Sequence, residues 1–219
     1  GYTRQSVALG LAMLGLVALT RQANLWFVFW VLCAAAFHKS AVLLLPIAAL
    51  AATNNRYWTA LWIAVATALA YIVFLQDSVD TLYINYIAAR YQSEGALVRA
   101  AMNLVPACIY LVLGRRFRMQ AGEARLWLWF AIGSIALFIG VIATPATTAV
   151  DRIALYMLPL QLVVFSYLPE VLGTRGRRNT GFTCLVLLYY ATVLFVWLNY
   201  ATHAFAWLPY RFYPIEAWF

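Results

Sequence analysis

The hydrophobic positions of this chain form long uncharged runs that short polar segments separate. One apolar run, residues 25–52, is interrupted only by Phe37-His38-Lys39-Ser40. A helix needs about 20 apolar residues to cross a bilayer, so this run is too long for one span and too short for two. The pattern therefore predicts two short helices, 25–36 and 41–52, that meet at a polar tip and form a broken or re-entrant pair.

The polar tip of this pair has the chemistry of an anion site. We expect Ser40 to be the N-cap of the second helix, with its hydroxyl accepting a hydrogen bond from the amide of Val42 or Leu43. A helix N-terminus beside Lys39 and His38 suits a phosphate or diphosphate. The alternative is a kinked helix whose lysine and histidine only reach the lipid headgroups.

The other apolar runs predict further spans and one domain covering residues 1–219. We place these spans at 3–20, 57–76, 96–113, 126–143, 152–172 and 181–202, with loops at 77–95, 114–125, 144–151 and 173–179. Nothing between them resembles a linker or a repeat. Because Arg4 and Gln5 stand where a span begins, we also expect further spans to precede Gly1.

Composition supports this assignment and fixes the class. Hydrophobic residues make up 66% of the chain and charged residues 10%, a balance that a soluble domain of this size could not keep without aggregating. The predicted fold is an all-α, polytopic transmembrane helical bundle. Its expected surroundings are the lipid bilayer, with no nucleic-acid partner.

Arginine predicts the orientation of the chain. The loops 114–125 and 173–179 are rich in arginine, and the positive-inside rule places both in the cytoplasm. By parity, the loop 77–95 and the segment ending at Asp151 face outward, and so does the His38-Lys39 tip if the run 25–52 enters the membrane and returns. A single continuous span there would instead put Arg4 inside and His38-Lys39 in the middle of the membrane. A buried unpaired charge in a bilayer costs about 2.5–3.5 kcal/mol, so we expect any chemistry to lie among the mixed charges of the outer side.

Two spans carry polar residues at helical spacing. In the span 96–113, Arg99, Asn103 and Pro106 share one helical face. In the span 152–172, Arg152, Tyr156 and Pro159 recur at the same spacing. These faces are expected to look into protein or a cavity, since lipid cannot satisfy them. Two roles are open for these polar residues. They could form ordinary hydrogen bonds between helices, or the planar guanidinium groups of the arginines could bind phosphate.

The outer loop 77–95 combines tyrosines with charges. Tyr83 and Tyr86 lie among Asp77, Asp80 and Arg90, a mixture that suits either the membrane interface or the apolar faces of sugar rings. No set of Asp, Glu and His residues has metal-ligand spacing. We therefore predict neither a metal nor a cofactor.

Three short motifs carry a resemblance to a known family. They are Arg4-Gln5-x-x-Ala8 at the start of a span, Phe37-His38-Lys39-Ser40-Ala41 followed by Pro46, and Asp151-Arg152-x-x-x-Tyr156. Their order over most of the chain resembles the EpsG family, the Wzy-like bacterial exopolysaccharide and O-antigen polymerases. Members of that family have more spans than this chain shows.

The resemblance implies glycosyl transfer on the outer face of the bacterial cytoplasmic membrane. A glycan on a polyprenyl diphosphate would be transferred to a hydroxyl of another lipid-linked repeat unit, with polysaccharide export or chain-length proteins as further partners. This reaction needs a base and cationic stabilisation of the leaving diphosphate. The base candidates are His38, Asp77 and Asp80. The substrate-binding candidates are Arg4, Gln5, Lys39, Ser40, Tyr83, Tyr86, Arg90, Arg99, Arg152 and Tyr156.

Other classes of function stay open at this point. A flippase or transporter of lipid-linked saccharides would use the same cations along a path through the membrane, and charges on the inner halves of the spans would favour it. A non-enzymatic membrane subunit would need no outer cationic cluster. An O-antigen ligase shares the chemistry, and charge placement does not separate it from a polymerase.

Overall fold

The structure is a computed structural model that describes residues 2–47, 56–72, 92–202, 204–206 and 208. Five of the described helices are long and apolar enough to cross a membrane. They are Thr3–Thr20, Ala96–Phe117, Ala121–Ala143, Thr147–Leu172 and Thr180–Tyr200. The protein is therefore a multi-pass, all-α membrane protein, as its composition predicts.

Helices α1 (Tyr2–Thr20) and α2 (Asn24–Phe37) form a closely packed hairpin. Along α1, the buried residues Ala8, Ala12 and Leu16 recur every four positions, which places them on one helical face. Gly15 lies at the contact between the two helices, since a Cβ there would be 3.4 Å from the carbonyl oxygen of Phe27, an ordinary van der Waals distance. Small residues at a helix crossing are the usual way for membrane helices to gain packing contact.

The predicted break after α2 is confirmed. α2 ends at Phe37, His38 has an extended backbone (φ −149°, ψ 111°), and a 3-10 helix follows from Lys39 to Leu44. Residues 45–47 are α-helical, and the rest of the predicted second arm lies outside the described residues.

The prediction that Ser40 caps the second arm is wrong. The chain turns two residues earlier, so His38 occupies the N-cap position and Ser40 lies inside the 3-10 helix. No side chain caps this helix, and the backbone closes its first turn itself, with the Ala41 amide donating to the His38 carbonyl at 3.0 Å.

Helices α3 (Arg56–Ala70), α4 (Ala96–Leu113) and α5 (Ala121–Ala143) correspond to the next predicted spans. The bounds of α4 are those predicted, and residues 73–76 of the preceding span lie outside the described residues. Helix α5 begins five residues earlier than expected, so Arg125 belongs to a helix and not to the basic loop. α4 and α5 pack together, and the Tyr110 hydroxyl donates to the Ala124 carbonyl at 2.9 Å across the connecting turn.

The next span begins earlier than the sequence predicted. Helix α6 (Thr147–Ala154) continues through a 3-10 turn, Leu155–Met157, into α7 (Leu158–Leu172). Asp151 therefore lies inside a helix and not at the end of a loop. Two contacts explain why the helix begins this early. The Ser93 amide donates to Thr147 Oγ1 at 2.8 Å, and Asp151 binds Arg99. Both hold the first helical turns in place.

The chain divides into two compact units, Gly1–Val164 and Phe165–Phe219. The first contains α1 to α6 and the beginning of α7. The second contains the rest of α7 and helix α8 (Thr180–Tyr200), joined by the basic turn 173–179.

Candidate functional site

Three segments that are far apart in sequence meet in the first unit. The side-chain amide of Gln5 donates a 2.7 Å hydrogen bond to the backbone carbonyl of Arg152, and Gln5 is only 4% exposed. The Tyr156 hydroxyl lies 3.4 Å from Nδ1 of His38. We call this set, Gln5, His38, Arg152 and Tyr156, the motif junction. It joins one residue or more from each of the three sequence motifs.

His38 owes its place in the junction to the broken helix. Its extended backbone ends α2 and begins the 3-10 helix, and its ring lies beside that of Tyr156 with centroids 6.3 Å apart. Burial lowers the pKa of His38, and the positive charge of Arg152 lowers it further. The imidazole is therefore neutral near pH 7 and has the form that a proton acceptor needs.

Three predicted cations adjoin the junction along the chain. Arg4 precedes Gln5, Lys39 follows His38, and Arg152 belongs to the junction itself. The side chains of Arg4 and Lys39 are exposed, and that of Arg152 is half-buried. Cations in such accessible positions can meet an anionic group from outside the protein. Ser40 is half-buried in the 3-10 helix next to them.

A second polar group lies beside the junction and is built differently. We call Ser93, Arg99, Thr147 and Asp151 the Asp151 cluster. Arg99 holds both carboxylate oxygens of Asp151, with Nε to Oδ1 at 2.8 Å and Nη2 to Oδ2 at 2.7 Å. The Ser93 hydroxyl donates to Oδ2 at 2.9 Å, and Asp151 is 1% exposed. This carboxylate has a charged partner and a neutral donor in a buried position.

Backbone geometry helps to hold Arg99 against this carboxylate. Arg99 Nη2 also donates to the Glu94 carbonyl at 3.1 Å. Gly95, which precedes α4, has φ +76°, and a Cβ there would lie 3.3 Å from Arg99 Nη1. Glycine thus permits both the left-handed turn and the close guanidinium. The predicted contact of Arg99 with a diphosphate stays a prediction.

The polar stripe of α4 continues into a third buried contact. Asn103 donates to the Ala154 carbonyl at 2.7 Å and accepts a 2.6 Å hydrogen bond from Gln161. Asn103 and Gln161 are both buried, as is Pro106. The predicted protein-facing side of this helix is therefore confirmed. Sequence reasoning missed Gln161, although a lone glutamine in an apolar run is a detectable signal.

The remaining predicted residues lie outside the part of the chain that the structure describes. They are Asp77, Asp80, Tyr83, Tyr86 and Arg90. In the described part, no group of three His, Cys, Asp or Glu side chains comes together in a way that could hold a metal ion.

Comparison with known protein families gives a match over nearly the whole chain. The EpsG family model matches residues 1–212, which is nearly the whole chain. No curated protein and no solved structure matches.

Proposed function

The chain belongs to the EpsG family, and from this premise we propose that it polymerises oligosaccharide repeat units carried on polyprenyl diphosphate, at the outer face of the bacterial cytoplasmic membrane. The family is one of membrane proteins of the polysaccharide polymerase type. The observation that carries the proposal is the convergence of Gln5, His38, Arg152 and Tyr156 from distant segments into one junction.

In the proposed reaction, a hydroxyl oxygen of the acceptor glycan bonds to the anomeric carbon of the donor glycan. The bond from that carbon to the diphosphate oxygen breaks, and polyprenyl diphosphate leaves with the bonding electrons. The hydroxyl proton passes to a base of the protein. Because negative charge grows on the leaving oxygen, cations near it stabilise the transition state more than the ground state.

The side chains around the junction suit these roles. We assign the diphosphate to Arg4, Lys39 and Arg152, which are accessible cations at or next to the junction. We assign the base to His38, because burial and Arg152 lower its pKa and keep it neutral. Asp77 and Asp80 remain alternative bases, and Tyr83, Tyr86 and Arg90 remain proposed contacts for the sugars.

The first test removes cations at or next to the junction one at a time. Arg152→Gln and Lys39→Gln are each expected to reduce polymer formation by about ten- to a hundredfold, since a charge-assisted hydrogen bond contributes about 1.5–3 kcal/mol. The Gln5 contact should survive in Arg152→Gln because it uses the backbone carbonyl. Polymer amount and length are measured in a strain that lacks its own polymerase, at equal level of the protein.

The matched control is Arg175→Gln, which removes an exposed arginine of the second unit. It should leave polymer formation unchanged. Normal polymer in both Arg152→Gln and Lys39→Gln at normal protein level would disprove the diphosphate site and favour a non-enzymatic subunit. A second assay distinguishes a polymerase from a transporter. The purified protein is placed in vesicles that carry lipid-linked repeat units on one side of the membrane. A polymerase lengthens the glycan in these vesicles, whereas a transporter does not.

A further inference from the structure

The second unit contains a cavity that the proposed reaction does not use. It lies between the end of α7 and the start of α8, beside the basic turn, and has a volume of about 340 Å³. Arg177, Arg178 and Glu170 line its polar side, and Phe165, Thr183 and Leu187 contribute to the rest. The cavity therefore combines charged groups with a largely apolar wall.

The turn that carries the two arginines is closed by one asparagine. The Asn179 side chain accepts from the Thr174 amide at 2.9 Å and donates to the Thr174 carbonyl at 2.9 Å. Gly176 adopts φ +74°, and a Cβ on Gly173 would collide with Asn179. These contacts define the backbone from which Arg177 and Arg178 project, so the arginines belong to a folded turn and not to an open loop.

The apolar side of the cavity is continuous with the exposed apolar surface of α8. The Phe165 ring packs against the rings of Tyr189 and Tyr190, with centroids 5.1 and 5.6 Å apart. Leu187 is 63% exposed, so the cavity opens along an apolar flank. An acyl chain could follow this flank while its headgroup occupies the polar side.

The position and charge of the cavity indicate what it binds. The candidate spans Thr147–Leu172 and Thr180–Tyr200 stop and start at the turn, which is the depth at which lipid headgroups lie. Two arginines and one glutamate leave one net positive charge, which matches the single negative charge of a phosphodiester better than the higher charge of a diphosphate. Arginine forks fit phosphate oxygens.

We propose that this cavity binds the phosphodiester headgroup of an anionic membrane phospholipid, with an acyl chain along α8. The proposal is independent of the catalytic role assigned to the motif junction. Basic pockets between helix ends are a known means of recognising anionic headgroups. The site would make phospholipid composition a determinant of how the second unit sits in the bilayer.

The test measures lipid retention by the full chain. Native mass spectrometry of the purified protein is followed while phosphatidylglycerol or phosphatidylcholine is added. We expect one phosphatidylglycerol to be retained roughly tenfold more strongly than phosphatidylcholine. Arg177→Gln/Arg178→Gln should abolish the preference, and Thr183→Trp should reduce binding by filling the cavity without a change of charge.

The matched control is Arg115→Gln/Arg116→Gln, which removes the same charge from another turn. It should keep the preference for phosphatidylglycerol. Equal loss in this control would show that general surface charge attracts the lipid, and unchanged binding in Thr183→Trp would show that the cavity is not the site. Either result overturns the proposal. So does displacement of the lipid by an equal concentration of glycerol 3-phosphate, which would indicate a site for a soluble phosphate.

Discussion

Asp151 and Arg152 are neighbours in one helix, yet they belong to polar groups of opposite character. Asp151 is 1% exposed, and Arg99 and Ser93 hold its carboxylate with contacts of 2.7–2.9 Å. Arg152 is half-buried, and the junction around it combines a 2.7 Å contact from Gln5 to the Arg152 backbone with a longer one, 3.4 Å between Tyr156 and His38. A fully buried charge in an ion pair supports the fold, whereas a more accessible charge beside a neutral imidazole suits chemistry. The comparison predicts separate effects on stability and on activity.

The largest expected effect is on stability, from Arg99→Leu. Removing Arg99 leaves the buried carboxylate of Asp151, which is 1% exposed, without its charged partner, and this costs about 3–5 kcal/mol. The free energy of unfolding, or the melting temperature in a fixed detergent, measures the loss. Adding Asp151→Ala to this variant should restore part of the stability, because it removes the orphaned charge. A melting temperature like that of the wild type would contradict a structural role for the cluster.

Arg99→Lys distinguishes two roles of Arg99, the structural ion pair with Asp151 and binding of the diphosphate. Lysine keeps the charge but loses the two-pronged contact with Asp151, so we expect stability to fall by about 1.5–3 kcal/mol. Polymer formed per molecule of folded protein should stay within about twofold of the wild type. The measurements are thermal unfolding and the complementation assay at equal protein level. Loss of polymer without loss of stability would move Arg99 into the diphosphate site.

The smallest expected effect is a pH dependence that comes from His38. Burial and Arg152 lower the pKa of this group in the folded state, so the unfolded chain binds its proton first as the pH falls. The contribution of neutral His38 to stability is therefore complete above its unfolded pKa of about 6.5 and declines below it. Comparing unfolding of the wild type and His38→Gln from pH 7.5 to 5 should show a steeper decline in the wild type. Parallel curves would contradict the lowered pKa.

Much of the helical framework follows from hydrophobic runs alone. The bounds of α4 and the break after Phe37 were both predictable, because apolar length and an interrupting His-Lys pair are local signals. The position of the N-cap, His38 and not Ser40, was not predictable, since the choice between an α and a 3-10 turn depends on how the following residues pack. The partnership of Arg99 with Asp151 joins residues 52 positions apart, and sequence spacing within a helix cannot predict which distant carboxylate an arginine meets.

The 3-10 conformation of residues Lys39–Leu44 also determines how far this segment extends along its helix axis. Six residues rise about 12 Å in a 3-10 helix and about 9 Å in an α-helix, because the rise per residue is about 2.0 Å against 1.5 Å. Rewinding this segment as an α-helix would shift one end against the other by about 3 Å, nearly the full 3.4 Å that separates His38 from the Tyr156 hydroxyl. The winding of this two-turn helix thus contributes to keeping the imidazole and the phenol within reach of each other.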